Sequence, residues 1–165
     1  MEVRIEPNGK ATFLGVDYKT EVWYPNFSGT VSEYNGPKGT NPHGQPVGKR
    51  SFQIEISNPN DAEALKAVGY NLKEKASTNP DEPPKWRLDV TLKYANPRYA
   101  PVVFTIEQDG TNETYKTEAT VDDLDHYDIR LLDFTVRPYE WNYLGRSGIS
   151  AELERLRATL EKLPF

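Results

Sequence analysis

Four groupings of side chains in this 165-residue sequence have types and spacings that could do chemistry. Gly48-Lys49, inside a Gly/Pro-rich stretch, has the look of a phosphate-binding loop. That pattern needs Gly where His43 stands, Ser or Thr where Arg50 stands, and a helix to follow, so the reading fails. Asp122, Asp123, Asp125, His126 and Asp128 crowd the carboxylates that hard cations favour. The spacing and central Gly of a calcium loop are missing, and the cluster reads instead as a capped turn with acid at a helix N-terminus. Nucleophilic catalysis needs a base beside a Ser or Thr, usually His. With only His43 and His126, far apart in sequence, no triad can be nominated. There is no Cys, which removes thiolate catalysis, disulfides and Cys-ligated zinc. The expectation is a non-enzymatic protein with no cofactor and no metal.

The fourth grouping survives. Aromatic and cationic residues interleave from Trp86-Arg87 to Lys93-Tyr94, and again over Arg137-Pro138-Tyr139-Glu140-Trp141-Asn142-Tyr143. Single-stranded nucleic acid is held by cations that follow its phosphates and rings that stack on its bases, at ~1–3 kcal/mol per base. A competing reading makes Trp86 and Tyr94 core, because they share the apolar face of their segment; Arg87 and Lys93 lie on the other face. Net charge is −5, which argues against a surface coated in basic residues but not against a local groove. Residues 31–50 carry Lys38, Lys49 and Arg50 against Glu33, and residues 85–98 carry Lys85, Arg87, Lys93 and Arg98 against Asp89. The acid gathers in residues 117–133. The chain is charge-polarised.

The elements that must position these groups are mostly strands. Residues 3–5 and 11–16 read as short strands around a turn at Pro7-Asn8-Gly9. Residues 21–28 are rich in β-formers, with Pro25 implying an edge or a bulge. Residues 35–49 hold four Gly and three Pro and read as a long flexible loop. Residues 51–56 alternate, with Phe52, Ile54 and Ile56 inward. A helix follows, capped by Asn58 or Asn60, with Pro59 in its first turn, a stripe of Ala62, Leu65, Ala67 and Val68, and Gly69 as the stop. Residues 71–73 lead out of it, and 77–84 form a Pro-rich loop. Residues 86–94 alternate cleanly. Residues 101–107 and 114–116 read as a hairpin around Asp109-Gly110. Residues 120–125 read as a short capped helical turn. Residues 129–136 form a strand with a phase slip at Leu131-Leu132. Ile149, Leu153, Leu156, Leu160 and Leu163 fall at helical spacing. With no repeat and no second composition regime, residues 1–165 are expected to form one mainly β domain with one or two short helices. No apolar run approaches the ~20 residues of a membrane helix. The N-terminus does not read as a signal peptide, and Asn26-Phe27-Ser28 and Asn112-Glu113-Thr114 read as chance glycosylation patterns.

Several landmarks occur in order. They are Pro25-Asn26-Phe27-Ser28-Gly29, Arg50-Ser51-Phe52, Gly69-Tyr70-Asn71-Leu72-Lys73, Val90 to Tyr94 followed by Pro101-Val102-Val103, Leu124-Asp125, Asp133 to Trp141, and Gly145 through Ala151. This run resembles the bacteriophage single-stranded DNA-binding proteins with an OB-fold, over residues 21–161. The resemblance implies a five-stranded Greek-key barrel with extra hairpin strands, residues 1–20 adding N-terminal extension strands and residues 161–165 a C-terminal tail. It implies a closing strand, not a helix, at residues 149–160, with Ile149, Ala151 and Leu153 on one side and Leu156, Ala158 and Leu160 after a slip. It also implies sequence-independent binding and protection of single-stranded DNA during phage replication or recombination, in the cytoplasm of the infected bacterial host. Phage or host replication and recombination proteins are the expected protein partners, and no membrane is expected.

On position and chemistry, Lys38, Lys49, Arg50, Arg87, Lys93 and Arg137 are the candidates for phosphate, and Tyr34, Trp86, Tyr139 and Trp141 for stacking. The ending Leu163-Pro164-Phe165 is similar to the Pro-Phe tip of bacterial single-stranded DNA-binding proteins, and either docks on a partner or tucks onto the barrel. Two other readings stand beside this one: a phage structural or assembly β-protein, and an OB-like module for another ligand.

Overall fold

The structure, a computed structural model, describes residues 1–29, 39–40, 46–75 and 78–161. In chain order its strands are β1 (Glu2–Ile5), β2 (Ala11–Asp17), β3 (Val22–Asn26), β4 (Gly39–Thr40), β5 (Pro46–Val47), β6 (Arg50–Ile56), β7 (Leu72–Lys75), β8 (Lys85–Leu92), β9 (Val102–Ile106), β10 (Thr114–Lys116), β11 (Ile129–Tyr143) and β12 (Arg146–Leu160). Helix α1 (Tyr18–Glu21) precedes β3, and α2 (Pro59–Ala67) follows β6. Tight 3-10 turns occupy Pro97–Tyr99 and Val121–His126.

Alternation does most of the building. In β6 and β8, Phe52, Ile54, Ile56, Trp86, Leu88, Val90 and Leu92 all point to one buried face, as their period of two requires. The two strands pair antiparallel with Phe52 opposite Val90 and Ile54 opposite Leu88. Phe13 of β2 stacks on Phe134 of β11 at 4.9 Å, and Phe52 meets Phe134 edge-on at 5.2 Å. Each such ring removed from water contributes about 1.5–3 kcal/mol. Helix α2 starts as expected: the Asn58 side chain accepts from the Asn60 amide, Pro59 follows, and Gly69 leaves the helix at φ +101°.

The strands join in the order β1-β2-β11-β12-β8-β6-β3, with β7 added to β8 and the β9–β10 hairpin added to β12. β12 is the junction. One edge pairs with β11 along its whole length. The other pairs parallel first with β8, at Ala151 and Glu152, and then with β9, from Arg155 to Thr159. This is a mainly β, OB-type architecture with more strands than the five of an unadorned barrel. β2 pairs with β1 on one edge and, from Ala11 to Asp17, with β11 on the other.

Residues 149–160 form a strand, as the resemblance implied and against the helical spacing. The slip sits at Glu154, which the pairing skips: Thr135 lies opposite Arg155 and Val136 opposite Leu153. Other elements differ from expectation. Residues 71–73, expected as a lead-out, run into a strand, β7 (Leu72–Lys75). β11 runs seven residues past Val136, to Tyr143. The turn at Val121–His126 has no side-chain cap from Thr120. Pro25 does lie on the outermost strand, β3, where the register shifts between Trp23 and Asn26. Most of the loop 35–49 lies outside the described residues; within it, Gly39–Thr40 pairs with Pro46–Val47.

Candidate nucleic-acid interface

Register decides which side chains share the outer face. On β8, Arg87, Asp89 and Thr91 alternate with the core residues, and Lys93 follows one residue past its end. On β12, Glu152 lies opposite Thr91, and on β11 Arg137, Tyr139 and Trp141 lie opposite Glu152, Ser150 and Gly148. On β3 and β6, Trp23 pairs with Gln53, which pairs with Asp89. One face of the sheet therefore carries Trp23, Arg87, Lys93, Arg137, Tyr139 and Trp141 together, although these residues span almost 120 positions of sequence.

Two nominated residues are not on it. Arg50 and Trp86 have the opposite parity and point inward. Arg50 is 2% exposed. Its Nε donates to the Phe27 carbonyl at 2.9 Å, its guanidinium lies 5.4 Å from the Tyr94 ring centre, and Glu118 and Asp122 stand at 3.6 and 3.7 Å. Burial pushes the Tyr94 hydroxyl up, partly offset by the Arg50 charge beside it. Trp86 packs in the core, with Lys66 of α2 5.2 Å from its ring centre. Both are corrections to the nominated set, with one cause: a position two or four residues from an inward strand residue is inward as well. Tyr34 and Lys38 lie outside the described residues.

Two grooves on the outer face gather the nominated residues. The larger, about 750 Å³, runs between β8 and the β11–β12 hairpin and is lined by Lys49, Lys73, Arg87, Asp89, Trp141 and Arg146 among others. Four cations against one carboxylate leave it a surplus of three positive charges. Arg87 is the most enclosed of them at 8% exposed. Its guanidinium lies 4.1 Å from the centre of Trp23 and 5.7 Å from that of Tyr24, and its Nε has no hydrogen-bond partner. Among the described residues it has no ion pair. Tyr24 reaches the same cation as its neighbour Trp23 because its backbone is left-handed, at φ +49°, and breaks the alternation there. Trp141 lies flat on Gly148, where a Cβ would stand 2.7 Å from its ring; only glycine admits this seat.

The smaller groove, about 510 Å³, is lined by Lys93, Asn96, Tyr99, Arg137, Tyr139 and Glu152 among others. Here two cations share one carboxylate, which leaves a surplus of one positive charge. Lys93 Nζ stands 2.9 Å and Arg137 Nη2 3.3 Å from the Glu152 carboxylate, which is 5% exposed. Lys93 lies 4.4 Å from the centre of Tyr139, and Arg137 lies 4.9 Å from that of Tyr99 while donating to its carbonyl. The arrangement offers rings and a small positive surplus, beside a neighbouring groove that offers more positive charge.

Lys49, Arg87 and Trp141 thus meet in the first groove, and Lys93, Arg137 and Tyr139 in the second. Lys73, Arg146, Trp23, Tyr24 and Tyr99 were not singled out from sequence. Lys73 was hidden because β7 shows almost no alternation in burial. Trp23 and Tyr24 stood in a recognised β-rich run whose partner across the sheet could not be read.

The acidic cluster has structural roles. Asp125 accepts from the amides of Phe27 and Ser28 and from the Ser28 hydroxyl, and Asp123 pairs with Lys116. Burial pushes the Asp122 carboxyl up, with Arg50 opposing. Among the described residues no group of His, Asp and Glu could hold a metal ion, and no helix is long and apolar enough to cross a membrane.

The family described as "Putative phage ssDNA-binding domain" matches residues 19–162. The chain belongs to this family. Two solved structures of such phage proteins share its fold. One is the single-stranded DNA-binding protein from bacteriophage Enc34 in complex with ssDNA, 14% identical, with a TM-score of 0.57, covering 99% of this chain and 93% of that one. The other is a C-terminal truncation of the Enc34 protein, 15% identical, with a TM-score of 0.54, covering 99% and 92%. Among curated proteins none matches the sequence significantly. In this phage ssDNA-binding domain both grooves lie on the face shared by β8, β11 and β12.

Proposed function

We propose that this protein binds single-stranded DNA without sequence preference, and protects it during phage replication or recombination in the bacterial cytoplasm. Lys49, Lys73, Arg87 and Arg146 meet phosphates in the first groove, and Trp23, Tyr24 and Trp141 stack on bases beside them. Lys93, Arg137, Tyr139 and Tyr99 continue the contact in the second groove. The observation that carries this reading is Arg87: a shielded guanidinium with rings on one side, an unsatisfied Nε and no counter-ion among the described residues. Burying an unpaired charge is costly, and a phosphate in the groove would relieve it. The role is non-catalytic, needing only cations and rings and no cofactor. Protein partners are phage or host replication and recombination proteins; the Pro164-Phe165 tip nominated for them lies outside the described residues.

The test is tryptophan fluorescence. Trp141 lines the groove and Trp23 lies exposed over Arg87, while Trp86 is in the core, so an oligonucleotide should quench part of the emission. Salt should reverse the quenching, with a log–log slope of about −0.7 per phosphate contacted. A Trp23→Phe/Trp141→Phe variant, left with Trp86, should show almost no quenching. Parent protein that is not quenched, or quenching that survives in the double variant, contradicts the reading.

A further inference from the structure

The outward row of β12 does not end at the two grooves. The bulge at Glu154 hands the outward positions from Gly148, Ser150 and Glu152 to Arg155 and Arg157. On one side these pair with Thr135 and Asp133 of β11, and on the other with Val102 and Phe104 of β9. A further groove of about 560 Å³ opens there, lined by Thr12, Leu14, Phe104, Thr135, Arg155 and Arg157 among others. Between it and the Glu152 groove lies another of about 420 Å³, which includes Lys10, Glu154 and Arg155.

The chemistry of the first groove recurs at this far end. Phe104 meets Tyr115 of β10 with ring centres 5.5 Å apart, and the Arg155 guanidinium lies 5.9 Å from the Phe104 centre. Tyr115 is 54% exposed. Arg155 has no ion pair among the described residues, and Arg157 reaches Glu113 at 3.5 Å. The acids along the row are engaged by the protein itself. Glu152 holds Lys93 and Arg137, Glu154 holds Lys10 at 2.8 Å, and Asp133 accepts from the Gly15 amide at 2.8 Å. Glu6 also lines the groove beside Lys10 and Arg155; at the far end of β12, Arg155, Phe104 and Tyr115 present a cation and two rings.

We propose that the patch of Arg155, Phe104 and Tyr115 is a second contact site for the same DNA strand that occupies the Arg87 groove, the strand following β12. This rests on the single-stranded DNA reading above and extends it. From Ser147 to Arg157 the row measures ~33 Å at ~3.3 Å per residue. At ~3.4 Å per nucleotide of a stacked strand that span holds about ten nucleotides, within the ~4–16 that OB folds cover. Stacking and charge at both ends, with the Glu152 carboxylate held by Lys93 and Arg137 between them, make two footholds on one strand.

Oligonucleotides of about 5 and about 15 nucleotides, bracketing that range, separate the sites. Tyr115→Ala should weaken the long one about tenfold and leave the short one unchanged. Arg155→Gln should lower the salt slope on the long one by about 0.7 and leave the short one's slope intact. Thermal melting of each variant confirms that it folds; Tyr115 is exposed, so its removal should be tolerated. Unchanged affinity for the long oligonucleotide, or equal losses on both lengths, overturns the second site. A loss seen only when two protomers share one oligonucleotide, counted by mass, makes the patch a protein contact and also overturns it. Parent protein that binds neither length sinks this proposal together with the reading beneath it.

Discussion

Arg50 and Arg87 stand on neighbouring strands and are almost equally hidden from water, yet their surroundings are opposite. Arg50 points inward and is met by a backbone carbonyl, the Tyr94 ring and two carboxylates. Arg87 points outward, is covered by Trp23 and Tyr24, and has a carbonyl or carboxylate on none of its atoms that the described residues supply. Burial by itself does not say what a cation is for. What stands at the end of the side chain does: the interior region closes its charge within the protein, and the outer face leaves its charge for something else to meet.

The largest effect that could break this comparison is on the interior side. Arg50→Met should cost about 3 kcal/mol of stability, because Asp122 and Glu118 lose the charge they face. DNA affinity of the folded variant should stay within about twofold, since ~0.4 kcal/mol is the most a distant site usually contributes. Urea melts and binding titrations on the same sample read both. A variant as stable as the parent that binds DNA poorly would put Arg50 in the interface and undo the contrast. Arg87→Gln should do the reverse. Affinity should fall by about 2 kcal/mol, the worth of a charged hydrogen bond to phosphate, while the melt stays close to that of the parent. Trp141→Ala comes next, at about 1 kcal/mol of binding, the low end for a stacked ring, because the ring is partly covered by its seat on Gly148. Its loss should leave the salt slope unchanged, which separates stacking from charge.

Much of the contrast was present in the sequence and followed from parity alone. Arg50, Phe52, Ile54 and Ile56 share one phase, so an inward Phe52 makes Arg50 inward, and Trp86 follows Leu88 and Val90 in the same way. Asn58, Pro59 and Gly69 set the bounds of α2 by local chemistry, which needs no partner. What was not legible depends on pairing. The spacing of Leu153, Leu156 and Leu160 imitates a helix because the bulge at Glu154 inserts one residue and turns a step of two into a step of three. Glu, Arg, Leu and Ala favour helix, but β12 is flanked by β11 on one edge and by β8 and β9 on the other. Tertiary pairing overrides propensity in a central strand. Lys73 and Arg146 could not be joined to Arg87 before the register of β7 and the β11–β12 hairpin was known. Nor could Trp23, whose place above Arg87 depends on strands 64 residues apart.

The smallest effect concerns Asp122, and it tests whether the interior region is as self-contained as the comparison holds. Burial raises its carboxyl, with Arg50 opposing and Asp125 adding to the rise. Its Oδ1 stands 3.7 Å from Arg50 Nη2, within reach of the charge but without a hydrogen-bond partner. A carboxyl raised in the folded state favours its protonated form there. The contribution to stability is therefore full below the unfolded value and is lost as pH rises through the folded one. Other carboxylates titrate in the same range, so the measurement is a difference. Urea melts of the parent and of Asp122→Asn, taken from about pH 4 to about pH 7 where carboxyls and then His titrate, should show the parent losing stability relative to the variant as pH rises. DNA affinity of the two should agree at every pH. A parent that gains on the variant with rising pH would mean that the Arg50 charge outweighs burial and holds the Asp122 carboxyl down. The interior pair would then be a net source of stability, and the loss on Arg50→Met should be correspondingly larger.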